Sequence, residues 1–323
     1  MSEVLADFAL SKDVQTVQKG TIQKVGIVGC GVAGQEIARL ISQNGIEVKF
    51  IDLTKERVNE IMEEIGKQLD EVISKWGLTK SDKRAILSRI SGSIDYKDIS
   101  DCDIVIETIN TQAPGANKEI RKDVIKRIEN VVKDDTVIVS NISSIMISDI
   151  ASVLDKPERV LGLHFLTPAT TVKIVEVVKG VKTNEVSFEK VVKFVKMLEK
   201  HVITLNESPG NISTRLIVSL INEACETFIE GVASIACIDK TMKQGFGMQF
   251  GPFELADRIG LDKILKWMDN LYAEFGEQKF KASPVIKRLV RLNYYGKKSG
   301  KGFYIYEDNK IVGVTLSTLE LKK

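Results

Sequence analysis

Two side chains could move a proton. Histidine occurs twice in 323 residues, and one copy, His164 in Gly162-Leu163-His164-Phe165, stands twelve residues before Glu176 in Ile174-Val175-Glu176-Val177-Val178. Imidazole changes charge near neutral pH, which makes it the usual acceptor when a hydroxyl must lose a proton. A carboxylate beside it would fix its tautomer and stabilise the imidazolium. Both residues sit in apolar runs, so the competing reading of the pair alone is a hydrogen-bonded core histidine.

A second constellation points to a cofactor. Lys24-Val25-Gly26-Ile27-Val28 reads as a strand, Gly29-Cys30-Gly31-Val32-Ala33-Gly34 as a turn, and Gln35 to Asn44 as a helix. In such a turn Gly29 permits the tight bend, Gly31 lets backbone N–H groups approach a pyrophosphate, and Gly34 lets helix and strand pack closely. The helix N-terminus adds the positive end of its dipole. The candidate contacts are therefore Gly29, Gly31, Val32, Ala33 and Gly34. Asp52 ends the next strand, 23 residues after Gly29. A carboxylate there accepts both hydroxyls of an adenosine ribose and repels a 2′-phosphate, which favours NAD over NADP. The alternative is a glycine turn with a solvent-facing aspartate.

Strand and helix patterns alternate through the first two-thirds of the chain. Further strands are expected at Glu47 to Ile51, Ile104 to Glu107, Thr136 to Ser140, Val160 to His164, Val172 to Val178 and Val202 to Leu205, with helices from Lys55 to Trp76 and from Lys80 to Ser88. Near-continuous Val and Ile predicts strands buried on both faces, in a doubly wound, mostly parallel α/β sheet of Rossmann type. Ligands then sit at the strand C-terminal ends, where Glu107-Thr108-Ile109, Ser140-Asn141-Ile142-Ser143-Ser144 and His164-Phe165-Leu166-Thr167 converge on the nicotinamide side. After Ser208-Pro209-Gly210 almost every segment reads helical. The expected organisation is a polar N-terminal arm (1–21), an NAD-binding domain (22–207) and an all-α domain (208–323).

Composition excludes several functions. Apolar residues make up 43% and charged residues 28%, and 46 basic against 44 acidic side chains leave a net charge of +2. No strong field exists for nucleic acid or an anionic membrane, and the apolar runs fall far short of the ~20 residues that span a bilayer. Cys30, Cys102, Cys225 and Cys237 lack CxxC or CxxH spacing, which argues against a metal site and against a disulfide framework. The first twenty residues carry no signal-peptide pattern. A reduced, cytoplasmic setting follows.

The ordered set of motifs resembles the L-3-hydroxyacyl-CoA dehydrogenase family over residues 23–306. It comprises the glycine turn with Asp52, Ser140 to Ser144, Pro157-Glu158-Arg159, Gly162 to Phe165, and Glu176. It continues with Ser208-Pro209-Gly210 and Arg215, Gly251-Pro252-Phe253-Glu254-Leu255, and Gly296 to Tyr304. The resemblance implies hydride transfer between NAD and carbon 3 of an acyl thioester, interconverting (S)-3-hydroxyacyl-CoA and 3-oxoacyl-CoA. It implies that His164 carries the proton, Glu176 orients His164, and Ser143 hydrogen-bonds the reacting oxygen. Asn141, Arg121 and Lys298 would face the cofactor and Lys75 the CoA phosphates, and the helical domain would form a homodimer.

The chain departs from that pattern in places. Thr214 stands where the family usually has an asparagine that helps to fix the substrate, and threonine keeps one hydroxyl but loses the two-ended amide. Thr167 replaces a second asparagine, Asn110 to Gly115 look inserted, and Ala116 stands where an acidic residue is expected. Two further readings follow: an NAD-dependent dehydrogenase of a non-CoA 3-hydroxy acid, and an NAD-binding protein of impaired catalysis with a structural or regulatory role. His201 has no matching motif and reads as structural.

Overall fold

The computed structural model describes residues 22–109 and 117–316. The N-terminal arm, the Asn110–Gly115 insertion, Ala116 and residues 317–323 lie outside the described residues.

The first strands and helices alternate as the apolar periods require. They are β1 (Lys24–Val28), α1 (Val32–Gln43), β2 (Glu47–Ile51), α2 (Lys55–Ser74), α3 (Lys80–Leu87), β3 (Ile90–Ser93) and β4 (Ile104–Glu107). Next come α4 (Asn117–Glu129), β5 (Val137–Ser140), α5 (Ile147–Ala151), β6 (Val160–Phe165), β7 (Ile174–Lys179), α6 (Glu185–Met197) and β8 (His201–Asn206). Side-chain oxygens start several helices: Thr54 accepts from the Arg57 N–H, Thr79 and Asp82 form a reciprocal box, and Asn184 accepts from Ser187.

The eight strands form one sheet in the order β3-β2-β1-β4-β5-β6-β7-β8. β1 to β6 run parallel, whereas β7 pairs antiparallel with β6, and β8 follows β7. The chain order reverses between β1 and β4, and the carboxyl ends of such neighbours open the crevice where ligands bind. β4, β5 and β6 are buried along their whole length, and an apolar layer covers each face of the sheet. The edge strand β3 escapes sequence reading because Ile90-Ser91-Gly92-Ser93 is short and half polar.

From residue 213 the chain is helical: α7 (Ser213–Ile229), α8 (Ile235–Phe246), α9 (Pro252–Ile259), α10 (Leu261–Phe275) and α11 (Pro284–Arg291) surround a separate core that includes Phe228, Phe253, Ile264, Phe280 and Phe303. A hairpin of β9 (Tyr304–Glu307) and β10 (Lys310–Val314), which sequence reading did not anticipate, closes it. Asp308 and Asn309 both take positive φ at its tip, the conformation that its tight turn requires. Two buried aspartates clasp the helical region. Asp239 accepts from the Phe253 and Glu254 amides at the start of α9, and Asp257 from the Phe303 and Tyr304 amides at the hairpin. Among the described residues no helix is long and apolar enough to cross a membrane.

Candidate active site

The glycine turn has the shape that a phosphate needs. Gly29 leaves β1 at φ +84°, and its N–H reaches the Ile51 carbonyl at 2.9 Å. Gly31 is the residue before α1, which has no side-chain cap, so the helix's first amides are not satisfied from within that turn. A Cβ placed on Gly31 would meet no protein atom within 4 Å, and Gly31 and Val32 are exposed. Gly34 differs: a Cβ there would lie 2.7 Å from the Gly29 carbonyl oxygen and 2.9 Å from the Thr108 hydroxyl. Open space over Gly31, with no room at Gly34, gives a backbone surface for an anion.

Asp52 stands at the end of β2 beside this turn, its carboxylate accepting from the Cys30 N–H at 2.9 Å and the Leu53 N–H at 2.8 Å. These bonds aim it from the strand end toward the mouth of the turn. The residues present fit the dinucleotide: amides and a helix dipole for the pyrophosphate, and a fixed carboxylate for the ribose.

Along the crevice, the ends of β4, β5 and β6 carry a connected polar layer. Glu107, fully buried, accepts from Arg121, Ser140 and the Ile109 N–H. The Arg121 guanidinium is thus bonded to Glu107 and to the Ile109 carbonyl; it braces the β4 end that packs on Gly29. Asn141 accepts from the Phe165 N–H at 2.9 Å and so ties the β5 end to the residue after His164.

His164 and Glu176 are direct partners in the β6–β7 ladder. Because β7 runs backward along β6, residues twelve apart in sequence face each other, and His164 Nδ1 lies 2.7 Å from Glu176 Oε2. Both side chains are buried, with relative exposures of 10% and 3%. Burial opposes ionisation of Glu176, yet the bonds from His164 and from the Ser213 N–H and hydroxyl outweigh it and hold the carboxyl below its ordinary range. With Nδ1 committed to the carboxylate, Nε2 is the nitrogen left for proton exchange.

Ser143 closes the site from the β5 side. Its carbonyl accepts from the Gly210 N–H at 2.6 Å, and its hydroxyl is 2.8 Å from the Thr214 hydroxyl. Thr214 therefore meets Ser143, whose role the sequence had suggested, through a side chain. The neighbouring Ser144 hydroxyl accepts from the Asn270 amide of α10 at 2.9 Å.

Two expected residues lie apart from this cluster. Lys298 pairs with Asp262 at the start of α10 at 2.6 Å. Lys75 is exposed just past α2, whose twenty residues place it about 30 Å along the helix from the Asp52 end. Sequence reading missed Ser213 and Asn270, which lie in generic contexts and acquire meaning through their partners.

Residues 24–208 match the model of the 3-hydroxyacyl-CoA dehydrogenase NAD binding domain, and residues 210–306 that of the 3-hydroxyacyl-CoA dehydrogenase C-terminal domain. The chain belongs to the 3-hydroxyacyl-CoA dehydrogenase family. Within that family it is 36% identical over 283 residues to the 3-hydroxybutyryl-CoA dehydrogenase of Clostridioides difficile, covering 88% of this chain and 99% of the relative. It is 34% identical to that of Bradyrhizobium diazoefficiens, over 90% of this chain and 98% of the relative. The solved (S)-3-hydroxybutyryl-CoA dehydrogenase of Ralstonia eutropha is similar at a TM-score of 0.81 and 36% identity, covering 89% of this chain and 100% of that one. As a 3-hydroxyacyl-CoA dehydrogenase the chain is an NAD-dependent oxidoreductase acting on a CH–OH group.

Proposed function

We propose that His164 is the general acid/base of a short-chain 3-hydroxyacyl-CoA dehydrogenase, oriented by Glu176 and assisted by Ser143. The observation that carries this reading is the 2.7 Å bond between His164 Nδ1 and Glu176, which leaves Nε2 to the crevice at the carboxyl ends of the strands. NAD, when bound, supplies or accepts the hydride. Gly29, Gly31, Val32, Ala33, Gly34 and Asp52 would hold it, with Asn141 on the nicotinamide side and Arg121 acting through Glu107 and the β4 end. In the oxidative direction His164 takes the hydroxyl proton from the substrate; in reduction it returns the proton to the oxygen formed from the ketone. The Ser143 hydroxyl donates to the same oxygen. Glu176 stays ionised beside the imidazolium and stabilises it without itself taking the proton.

The acyl preference is supported by the three relatives reported above, each named for 3-hydroxybutyryl-CoA. A homodimer through the helical region fits the exposed apolar side chains of Ile212, just before α7, and Leu216, one turn further on. The four free cysteines fit a reducing cytoplasm.

Turnover of acetoacetyl-CoA with NADH, set against a panel of free 3-hydroxy acids with NAD, tests the reading. The expected result is activity on the thioester that His164→Gln lowers by about 10²- to 10⁴-fold, with NADH affinity retained. Activity confined to the free acids would replace the CoA assignment. NADH binding without turnover would favour the impaired-protein reading.

A further inference from the structure

The first turn of α7 reaches both catalytic side chains of the sheet. Ile212, in the position before the helix, has no oxygen to offer, so this 17-residue helix carries no cap in its own sequence. The Glu176 carboxylate caps it instead: the Ser213 N–H donates to Oε1 at 2.9 Å and the Ser213 hydroxyl to Oε2 at 2.8 Å. That same Oε2 meets His164 Nδ1. The next residue, Thr214, donates its hydroxyl to Ser143 at 2.8 Å, and both of these side chains are buried.

We propose that Ser213 and Thr214 are adjacent positioning residues: Ser213 sets the ionisation and aim of the Glu176–His164 pair, and Thr214 turns the Ser143 hydroxyl proton toward the substrate oxygen. The proposal rests on the functional reading above.

The donor inventory supports each half. A hydroxyl has one proton and two lone pairs. Ser143, once it accepts from Thr214, keeps its own proton for a second partner, and the developing charge on the reacting oxygen is that partner. Thr214 then acts through Ser143 rather than on the substrate, which gives a role to the residue at the family's usual asparagine position. At Glu176 the argument is electrostatic. Its ladder partners are His164 on β6 and the uncharged Ile203 on β8, and α7 faces it with uncharged Ser213. The Ser213 bonds and the positive end of α7 favour the ionised carboxylate. They also compete with His164 for Oε2, so removing the hydroxyl should strengthen the carboxylate's hold on the imidazolium.

The test uses five variants of the full chain. Because there are two histidines, ring resonances of His164 and His201 can be followed by NMR without substrate and assigned with His201→Gln. In Ser213→Ala the midpoint of the coupled pair, read at His164, should move upward by about half a pH unit or more, and Ser213→Thr should restore it. Thr214→Val should lower kcat by about tenfold or more, with the KM for acetoacetyl-CoA and NADH binding within twofold, and Thr214→Ser should recover it. An unmoved midpoint in Ser213→Ala overturns the first half, and an unchanged kcat in Thr214→Val overturns the second. Failure of either hydroxyl-retaining variant to rescue assigns its position to packing and also overturns that half. If the parent fails to turn over acetoacetyl-CoA, the functional reading falls while the NMR arm still decides Ser213.

Discussion

Glu176 performs two tasks with two oxygens. It bonds His164 and caps α7, so under the proposed mechanism its charge is tied to catalysis as well as to the docking of the helical region on the sheet. The linkage has a definite sign. Its folded-state titration lies below the ordinary carboxylate range, so between the folded and unfolded values the unfolded chain binds more protons and stability rises with pH. The contribution is present above about 4.5 and is lost as the pH falls through the folded value. Glu176→Gln should therefore be less stable than the parent at pH 7, by about 1–3 kcal/mol for the unsatisfied buried partners. The difference should shrink at pH 3. Urea unfolding at the two pH values measures it, and a gap that widens on acidification would contradict this account.

At the scale of elements, the two inner glycines of the turn separate binding from folding. Gly31 has room for a side chain in the protein but lies where a phosphate would approach, whereas Gly34 is in contact with the backbone of Gly29. Gly31→Ala is expected to raise the Kd for NADH while leaving the melting temperature within a degree or two. Gly34→Ala is expected to cost about 1–3 kcal/mol of stability by overpacking. Equal losses of melting temperature in the two variants would remove the distinction. The parallel strands, the turn and Asp52 were legible in the sequence because apolar runs and glycine spacing are local signals. Glu107 was seen as the end of a strand, but nothing local shows that it binds Arg121 and Ser140, 14 and 33 residues further on. Ser213 had no local signal at all, since its partner lies 37 residues back. Thr214 read as a lost amide; that its hydroxyl meets Ser143 depends on how α7 docks.

For the whole molecule, the helical region does more than cover the crevice. Five hydrogen bonds described above join it to the β5 end and to β7, through Gly210, Ser213, Thr214 and Asn270. Its outer side keeps apolar residues that one chain leaves in water: Leu216 is 65% exposed and Ile212 47%. Placing a charge in a buried subunit contact carries a large desolvation cost. For the proposed homodimer, Leu216→Glu should therefore shift sedimentation from dimer to monomer, with NADH binding retained because α7's inner face is unchanged. A parent that sediments as a concentration-independent monomer would refute the dimer.

The antiparallel β6–β7 pairing has one more consequence. The His164–Glu176 match is fixed by ladder register and not by the connection between them, residues 166–173, whose backbone Lys200 holds from the side through the Thr170 and Val172 carbonyls. Thr171 is exposed there. A circular permutant that begins and ends at that point would still assemble the His164–Glu176 pair from two strands no longer joined to each other directly.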